Sequence, residues 1–181
     1  MQSATIPAIE TRIDELLQYM LQRHAKVFIV RLDLRWPTPS TEAAINRIFS
    51  SFIARLAAQY YEIAETKFIW CRETSPTSGR PHWHVILLFD GQKVCQGWSI
   101  YLNALSRWQH LTGSSEPWLV HLCDWTVETS WGAGGVMLLR SDPASRYQDI
   151  CQILRYIAKT YSKGLLSPRM REFGSSRLYL Q

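Results

Sequence analysis

The stretch Pro81-His82-Trp83-His84-Val85-Ile86-Leu87-Leu88-Phe89-Asp90 decides the fold of this chain. Its continuous apolar run predicts a buried β-strand. Side chains alternate between the two faces of a strand, so His82 and His84 point one way and Trp83 points the other. Two imidazoles on one face can bind a single divalent metal ion, although isolated pairs of this kind are often structural histidines.

The segment before this strand completes a hairpin. Residues 67–74 have the composition of a strand, and residues 75–80 are rich in Ser, Pro and Gly, which is typical of a tight connection. In the resulting antiparallel pair, Glu73 reaches the same side as the two histidines and becomes the third metal ligand. Asp33, on an earlier predicted strand, is an alternative third ligand. Cys71 shares the face of Glu73 and would instead favour zinc.

Periodicity along the rest of the chain predicts an α+β fold, in which helices pack on a central, mostly antiparallel sheet of about five strands. The sequence length predicts a single domain over 1–181, divided into an N-terminal helical extension (1–25), a core (26–164) and a basic, loosely ordered tail (165–181). Predicted helices cover 8–23, 41–61, 97–111 and 143–163, and predicted strands cover 26–36, 67–74, 82–89, 118–124 and 135–140.

The net charge of +5 is concentrated at one end of the chain. Residues 140–181 contain 8 Lys and Arg against 3 Asp and Glu, whereas residues 1–139 contain 12 of each sign. A clustered positive charge favours a polyanionic partner such as nucleic acid, although a solvated basic helix and tail would have the same composition.

The sequence also predicts the compartment. It contains no apolar run of 18 residues and no basic region followed by an apolar stretch at its start, so we expect neither a membrane span nor a secretory signal. The four cysteines form no Cys-x-x-Cys pair, which favours free, mostly buried thiols in the reducing cytoplasm.

The last predicted helix carries a tyrosine and a lysine away from its apolar stripe. Tyr156 lies on the polar arc, with Lys159 one turn later. A tyrosine hydroxyl has a pKa near ~10, so it needs a neighbouring cation or a metal-bound phosphate to act as a nucleophile. A Tyr-x-x-Lys pattern is also common on ordinary amphipathic helices. The apolar stripe comprises Ile150, Leu154, Ile157 and Tyr161.

Taken in order, the acidic residue, the His-hydrophobic-His motif and the late Tyr-x-x-Lys motif resemble the HUH endonucleases. The chain is most similar to the rolling-circle replication initiators of that superfamily, in particular the small replication proteins of filamentous phages and their prophage relatives. The resemblance covers most of the chain and includes Val27-Phe28-Ile29-Val30-Arg31-Leu32-Asp33-Leu34, Pro81-His82-Trp83-His84, Arg155-Tyr156-Ile157-Ala158-Lys159 and Phe173-Gly174-Ser175-Ser176-Arg177.

This resemblance implies that His82 and His84 bind the metal ion and that Tyr156 attacks a scissile phosphate, with Lys159 positioning or polarising it. Glu73, by the strand spacing above, completes a ligand set suited to Mn²⁺ or Mg²⁺. The products would be a 5′-phosphotyrosine and a free 3′-hydroxyl, and reversal would rejoin the strand. The expected partners are single-stranded DNA, a host helicase and a polymerase, because the sequence lacks a Gly-x-x-x-x-Gly-Lys nucleotide-binding motif. The expected DNA contacts are Arg31, Arg155, Lys163, Arg169, Arg171 and Arg177.

Three alternatives remain open at this point. The same fold could serve as a DNA-binding module for origin recognition or repression without nicking. The metal could be zinc bound by Cys71, His82 and His84. A transposase-like relative, similar to the tyrosine transposases associated with repeated palindromes, would share the chemistry and differ in its DNA target.

Overall fold

A six-stranded antiparallel sheet forms the centre of the protein and confirms the predicted α+β class. The computed structural model describes residues 6–39, 43–123, 134–159 and 171–178. The helices are α1 (Pro7–Arg23), α2 (Ala43–Tyr61), α3 (Gly97–Thr112) and α4 (Ala144–Leu154). The strands are β1 (Lys26–Arg35), β2 (Thr66–Thr74), β3 (Pro81–Asp90), β4 (Val120–Leu122), β5 (Val136–Leu139) and β6 (Phe173–Ser175).

The strand order is β4-β1-β3-β2-β6, and β5 pairs with the other end of β1, next to β4 along the same edge. Strands β2 and β3 form the predicted hairpin, whose turn uses Gly79 at a φ of 64°, a left-handed conformation that glycine adopts without strain. Glu73 pairs with His82 in this hairpin, and Asp33 of β1 pairs with His84. The register therefore places all four polar side chains on one face.

Each face of the sheet has its own apolar core. Helices α2 and α3 cover the face of Trp83, whose ring stacks on Phe49 with centroids 4.6 Å apart and planes at 4°. Helices α1 and α4 cover part of the opposite face, on which Ile29, Ile69 and Ile86 are buried. Helix α1, which lies within the predicted N-terminal extension, is thus packed into the core, because Ile9, Leu16 and Leu17 are each 0% exposed.

The end of the chain also joins the sheet, so the prediction of a loosely ordered tail over 165–181 is wrong for residues 173–175. Strand β6 pairs with β2, and the guanidinium of Arg12 donates to Ser175 Oγ at 2.8 Å and to the Ser176 carbonyl at 2.6 Å. A Cβ added to Gly174 would lie 2.8 Å from the Trp70 ring, so glycine permits this close approach.

The last helix is shorter than the predicted 143–163. The α-helix ends at Leu154, and Arg155–Ala158 form a tighter 3₁₀ turn. The Ala158 carbonyl, which would accept a helical hydrogen bond from four residues later, instead accepts one from the Ile6 amide at 2.8 Å. The predicted strand over 118–124 is likewise reduced to β4, because it is preceded by a 3₁₀ turn over Pro117–Leu119 that begins with proline.

Two simpler expectations concern the thiols and the membrane. The four cysteines, all within the described residues, form no disulfide, and Cys71, Cys123 and Cys151 are buried whereas Cys95 is exposed. Within the described ranges, every helix falls short of the length and apolar character that a membrane span requires.

Candidate metal and tyrosine site

The candidate site lies where helices α1 and α4 stop covering the sheet. Further along the same face, the strands replace their isoleucines with polar side chains, and a cavity of about 510 Å³ opens above them. Alternation along β1, β2 and β3 brings these side chains to one face, and the hairpin register brings them level with one another. The polar side chains on the cavity floor are Asp33, Glu73, His82 and His84.

Three of these residues direct donor atoms at a common point. Glu73 Oε2 lies 3.1 Å from His82 Nε2 and 3.4 Å from His84 Nε2. Among the described residues, Glu73, His82 and His84 form the group whose possible ligand atoms all lie within 4.8 Å of one another. Sequence reasoning selected this same set from strand alternation and the length of the hairpin turn.

Asp33 and Cys71 occupy the row of His84 but lie outside that group. His84 Nδ1 donates to Asp33 Oδ1 at 2.6 Å, which fixes the ring and turns Nε2 toward Glu73. Carboxylates behind metal-binding histidines have this function in many metal sites. Asp33 therefore suits a positioning residue better than a third ligand.

Burial and hydrogen bonding act in opposite directions on the charged groups. Burial raises the pKa of Asp33, but the hydrogen bond and charge of His84 outweigh it and hold that pKa at about 2. Burial lowers the pKa of His84, and the hydrogen bonds to Asp33 and Glu73 outweigh it, so its pKa is raised. His84 lies between the carboxylates of Asp33 and Glu73, and these negative surroundings favour a cation at this position.

The donor set fits a divalent metal ion. Atoms bound about 2.1 Å from one ion are roughly 3 Å apart, which is close to the separations of the carboxylate oxygen from both imidazole nitrogens. Two imidazoles and one carboxylate leave coordination positions for water or a phosphate oxygen. Glu73, His82 and His84 are therefore able to hold the Mn²⁺ or Mg²⁺ that the resemblance implies.

Tyr156 lies against this cluster, in the 3₁₀ turn that follows α4. Its ring centroid is 5.9 Å from that of His84, and the residue is 37% exposed. Lys159 Nζ lies 4.0 Å from the tyrosine ring centroid, and the Arg31 guanidinium lies 4.5 Å from it. The structure thus brings together Tyr156, Lys159 and the histidines, and it adds Arg31 as a second cation beside the tyrosine.

The other predicted DNA contacts are more scattered. Arg155 pairs with Asp14 of α1 at 3.2 Å, Arg171 is exposed, and Arg177 lines a separate groove along α1. Lys163 and Arg169 lie outside the described residues, as does Tyr161.

The cavity also has a wall that sequence reasoning missed. Arg35, Arg80 and Trp118 line it beyond the histidines. The alternation of β1 places Arg35 on the face of Asp33, which was a usable signal. No local pattern in the sequence indicates that Trp118 lines the cavity, because its position depends on the pairing of β4 with β1.

Comparisons with known proteins place this chain in a family. The family model described as the YagK/YfjJ C-terminal domain matches residues 2–110, a range that includes Asp33, Glu73 and both histidines. The chain is also similar to the "Uncharacterized protein YagK" of Escherichia coli (strain K12), with 26% identity over 204 residues that cover 94% of this chain and 93% of that protein. Because the family model covers more than half of its residues, the chain belongs to the YagK/YfjJ C-terminal domain family.

Proposed function

We propose that this protein is a metal-dependent endonuclease and ligase for single-stranded DNA, with Tyr156 as its nucleophile. The observation that carries the proposal is the contact between the rings of Tyr156 and His84, which places a tyrosine beside the convergent donor atoms of Glu73, His82 and His84. An exposed tyrosine next to a potential cation site in an open cavity is suited to attack on a phosphodiester.

The chain's own residues account for most of the proposed chemistry. Lys159 and Arg31 stabilise the phenolate of Tyr156 as its proton leaves to solvent, because both cations lie within 4.5 Å of the ring centroid. The phenolate oxygen then forms a bond to phosphorus, and the bond from phosphorus to the 3′-oxygen breaks. That oxygen takes up a proton and becomes a free 3′-hydroxyl.

A divalent ion bound by Glu73, His82 and His84 would neutralise charge on the phosphate oxygens during this step. Asp33 holds the ring of His84 so that Nε2 faces the other two ligands. The phosphodiester energy is kept in the phosphotyrosine bond, so attack by a 3′-hydroxyl reverses the reaction and joins two strands.

We propose initiation of rolling-circle replication of a phage or mobile element as the biological role, in the cytoplasm of a bacterial host. The resemblance of the metal and tyrosine motifs to replication initiators supports this role. A host helicase and polymerase would supply unwinding and synthesis. A transposase-like role uses the same chemistry on another DNA target, so the captured cleavage sequence distinguishes the two.

A covalent-capture experiment tests the proposed activity. Purified protein is mixed with a randomised single-stranded DNA pool and Mn²⁺, and protein–DNA adducts are detected by denaturing gel and mass spectrometry. We expect an adduct on Tyr156 that EDTA abolishes. Tyr156→Phe should form none, whereas Tyr61→Phe, which changes an exposed tyrosine on α2, should form as much as the unmodified protein.

One observation favours the second candidate function, a DNA-binding module without nicking. The cluster is already satisfied internally, because His82 and His84 hydrogen-bond to Glu73 and Asp33. Such a network could be purely structural. Binding of single-stranded DNA without any adduct, and with no effect of Tyr156→Phe, would support the binding module and reject the nickase.

A further inference from the structure

We propose that Trp118 and Arg80 form a platform on which one unpaired nucleobase of the bound strand stacks. This inference rests on the proposed function, since it names how the same cavity holds its DNA. Both residues line the cavity that contains the metal cluster, together with Arg35.

The platform lies on the side of the cluster away from Tyr156. Tyr156 contacts Arg31 and His84, whereas Trp118 precedes Val120, the partner of Leu34. Trp118 contacts Arg80, which directly precedes β3 and lies two residues before His82. The platform is therefore at the turn end of the hairpin, whereas Arg31 and Tyr156 lie toward the other end of the cluster. Base and scissile phosphate would therefore occupy neighbouring parts of one cavity.

Trp118 is held in place before any ligand binds. Its indole Nε1 donates to Glu116 Oε2 at 3.0 Å, and its ring packs against the apolar core. The Arg80 guanidinium lies 5.3 Å from the ring centroid. Because the indole is planar and already held by its hydrogen bond and its packing, stacking of a base beside the Arg80 guanidinium costs little ordering of Trp118.

The charges of this wall suit a phosphate backbone next to the base. Arg35 and Arg80 are exposed, and neither forms an ion pair with any carboxylate of the described residues. By contrast, Arg12, Arg23, Arg31 and Arg155 are each paired with an Asp or Glu. The hydroxyls of Ser75 and Ser78, in the turn that precedes Arg80, add hydrogen-bonding groups to the same wall.

Two oligonucleotides separate base stacking from backbone attraction. One is a 12-mer of deoxythymidine, and the other is a 12-mer of abasic deoxyribose phosphates with the same charge. Affinities are measured by fluorescence anisotropy in EDTA, where no cleavage occurs. We expect Trp118→Ala to weaken binding of the thymidine oligomer by about 5- to 100-fold and to leave binding of the abasic oligomer unchanged.

Further variants and a folding check make the result interpretable. Trp118→Phe should retain most of the affinity for thymidine, and Trp98→Ala, which removes a tryptophan that is 59% exposed on α3, should change neither affinity. Thermal unfolding of Trp118→Ala reports whether the variant is folded. If it is not, Trp118→Leu, which keeps an apolar side chain without an aromatic ring, carries the test and should show the same loss on thymidine. Arg80→Ala should weaken binding of both oligomers, because it removes charge as well as a stacking surface.

If Trp118→Ala loses affinity equally for both oligomers, or loses none for the thymidine oligomer, the platform is overturned. The same follows if the unmodified protein shows no detectable binding to the thymidine oligomer. The outcome is separable from that of the nickase. A base-dependent effect of Trp118 without a covalent adduct would reject the nickase and keep the platform, whereas an adduct with no such effect would do the reverse.

Discussion

Strands β1, β2 and β3 contribute to both halves of one sheet face, and the two halves differ in what covers them. The covered half, which comprises Ile29, Ile69 and Ile86, is buried beneath α1 and α4. The open half, which comprises Asp33, Glu73, His82 and His84, lines the cavity. The same alternation of side chains produces both halves, so the position at which the helices end determines where chemistry can take place.

Two residues of the open half are nevertheless almost as inaccessible as those of the covered half. Glu73 and His84 are each only 6% exposed. Ionisable groups at this level of burial are stable only when they are paired, and here each is hydrogen-bonded to a group of complementary charge. The comparison shows that the site is a polar core kept intact by its own network. A metal ion would take the place of a proton in that network.

The largest effect is expected from removing the two histidines of the open half. The double variant His82→Ala, His84→Ala removes both imidazoles and should abolish binding of Mn²⁺ and all metal-dependent adduct formation. Isothermal titration with Mn²⁺, Mg²⁺ and Zn²⁺ measures the first effect. His110→Ala, which removes an exposed histidine of α3, is the matched control. Unchanged Mn²⁺ affinity in the double variant would show that the cluster is not a metal site.

A substitution in the covered half should lower stability and leave metal affinity unchanged. Ile86→Ala deletes a side chain that is 1% exposed beneath α1 and α4, and we expect it to lower the free energy of unfolding by about 2–5 kcal/mol. Denaturant unfolding measures this loss. Mn²⁺ affinity of the folded protein should remain within about twofold, and a parallel loss of metal affinity would mean that the two halves are not independent.

Low pH should weaken the contact between Glu65 and helix α1, which covers the buried half of the sheet face. Burial raises the pKa of Glu65, but hydrogen bonds from Arg23, His24 and Tyr19 outweigh it and hold that pKa at about 2. Because the folded-state pKa is below the ordinary value of 4.5, Glu65 stabilises the fold above pH 4.5 and loses this effect as the pH falls toward 2. Because Arg23 is exposed and water screens its charge, we expect a loss of only about 1 kcal/mol over that range.

Unfolding by urea between pH 6 and pH 2.5 checks this dependence. Glu65→Gln should flatten the part of the curve between pH 4.5 and 2.5 and should be less stable than the unmodified protein at pH 6. Glu62→Gln, which changes an exposed glutamate three residues earlier, serves as the control. An identical pH profile for Glu65→Gln would contradict the assignment.

A milder change in the open half distinguishes a residue that positions a ligand from a ligand itself. Asp33→Asn keeps the size of the side chain but weakens its hold on His84 Nδ1, so Mn²⁺ affinity should fall about 10- to 100-fold without being lost. Isothermal titration again gives the affinity. A complete loss would instead identify Asp33 as a direct ligand, and no change would remove its positioning role.

The smallest expected effect concerns the direction in which the bound DNA strand crosses the open half. In an in-line displacement, the leaving oxygen lies opposite the nucleophile. Because Trp118 and Tyr156 lie on opposite sides of the cluster, the stacked base should belong to the strand that keeps the 3′-hydroxyl. In the unmodified protein, an abasic residue on that side of the captured cleavage site should slow adduct formation at least about fivefold. In Trp118→Ala, which lacks the stacking surface, the same abasic residue should not slow adduct formation further. The same loss from an abasic residue on the 5′-phosphate side would reverse the assignment.

Local patterns were enough to predict helices α1 to α3, the hairpin and the convergence of Glu73, His82 and His84. The turn over 75–80 fixes the register of β2 against β3, so counting outward from it pairs Glu73 with His82. Helical periodicity likewise separated Ile157, which is buried, from Tyr156, which is not.

The remaining features depend on contacts between distant parts of the chain. The end of α4 depends on the hydrogen bond from Ile6 to Ala158, and β6 is a three-residue strand that only its pairing with β2 defines. The position of Trp118 depends on the register of β4 against β1. None of these contacts leaves a periodic signal in the sequence.

The pairing of β6 with β2 has a consequence for synthesis on the ribosome. Until residues 173–175 emerge, the backbone groups of Ile69 and Cys71 along the outer edge of β2 lack these strand partners, and Arg12 lacks its hydrogen bonds to Ser175 and Ser176. An exposed strand edge of this kind is a template for wrong pairing between chains. We therefore expect the nascent chain to be prone to wrong pairing along β2, and to depend on chaperones, until residues 173–175 have emerged.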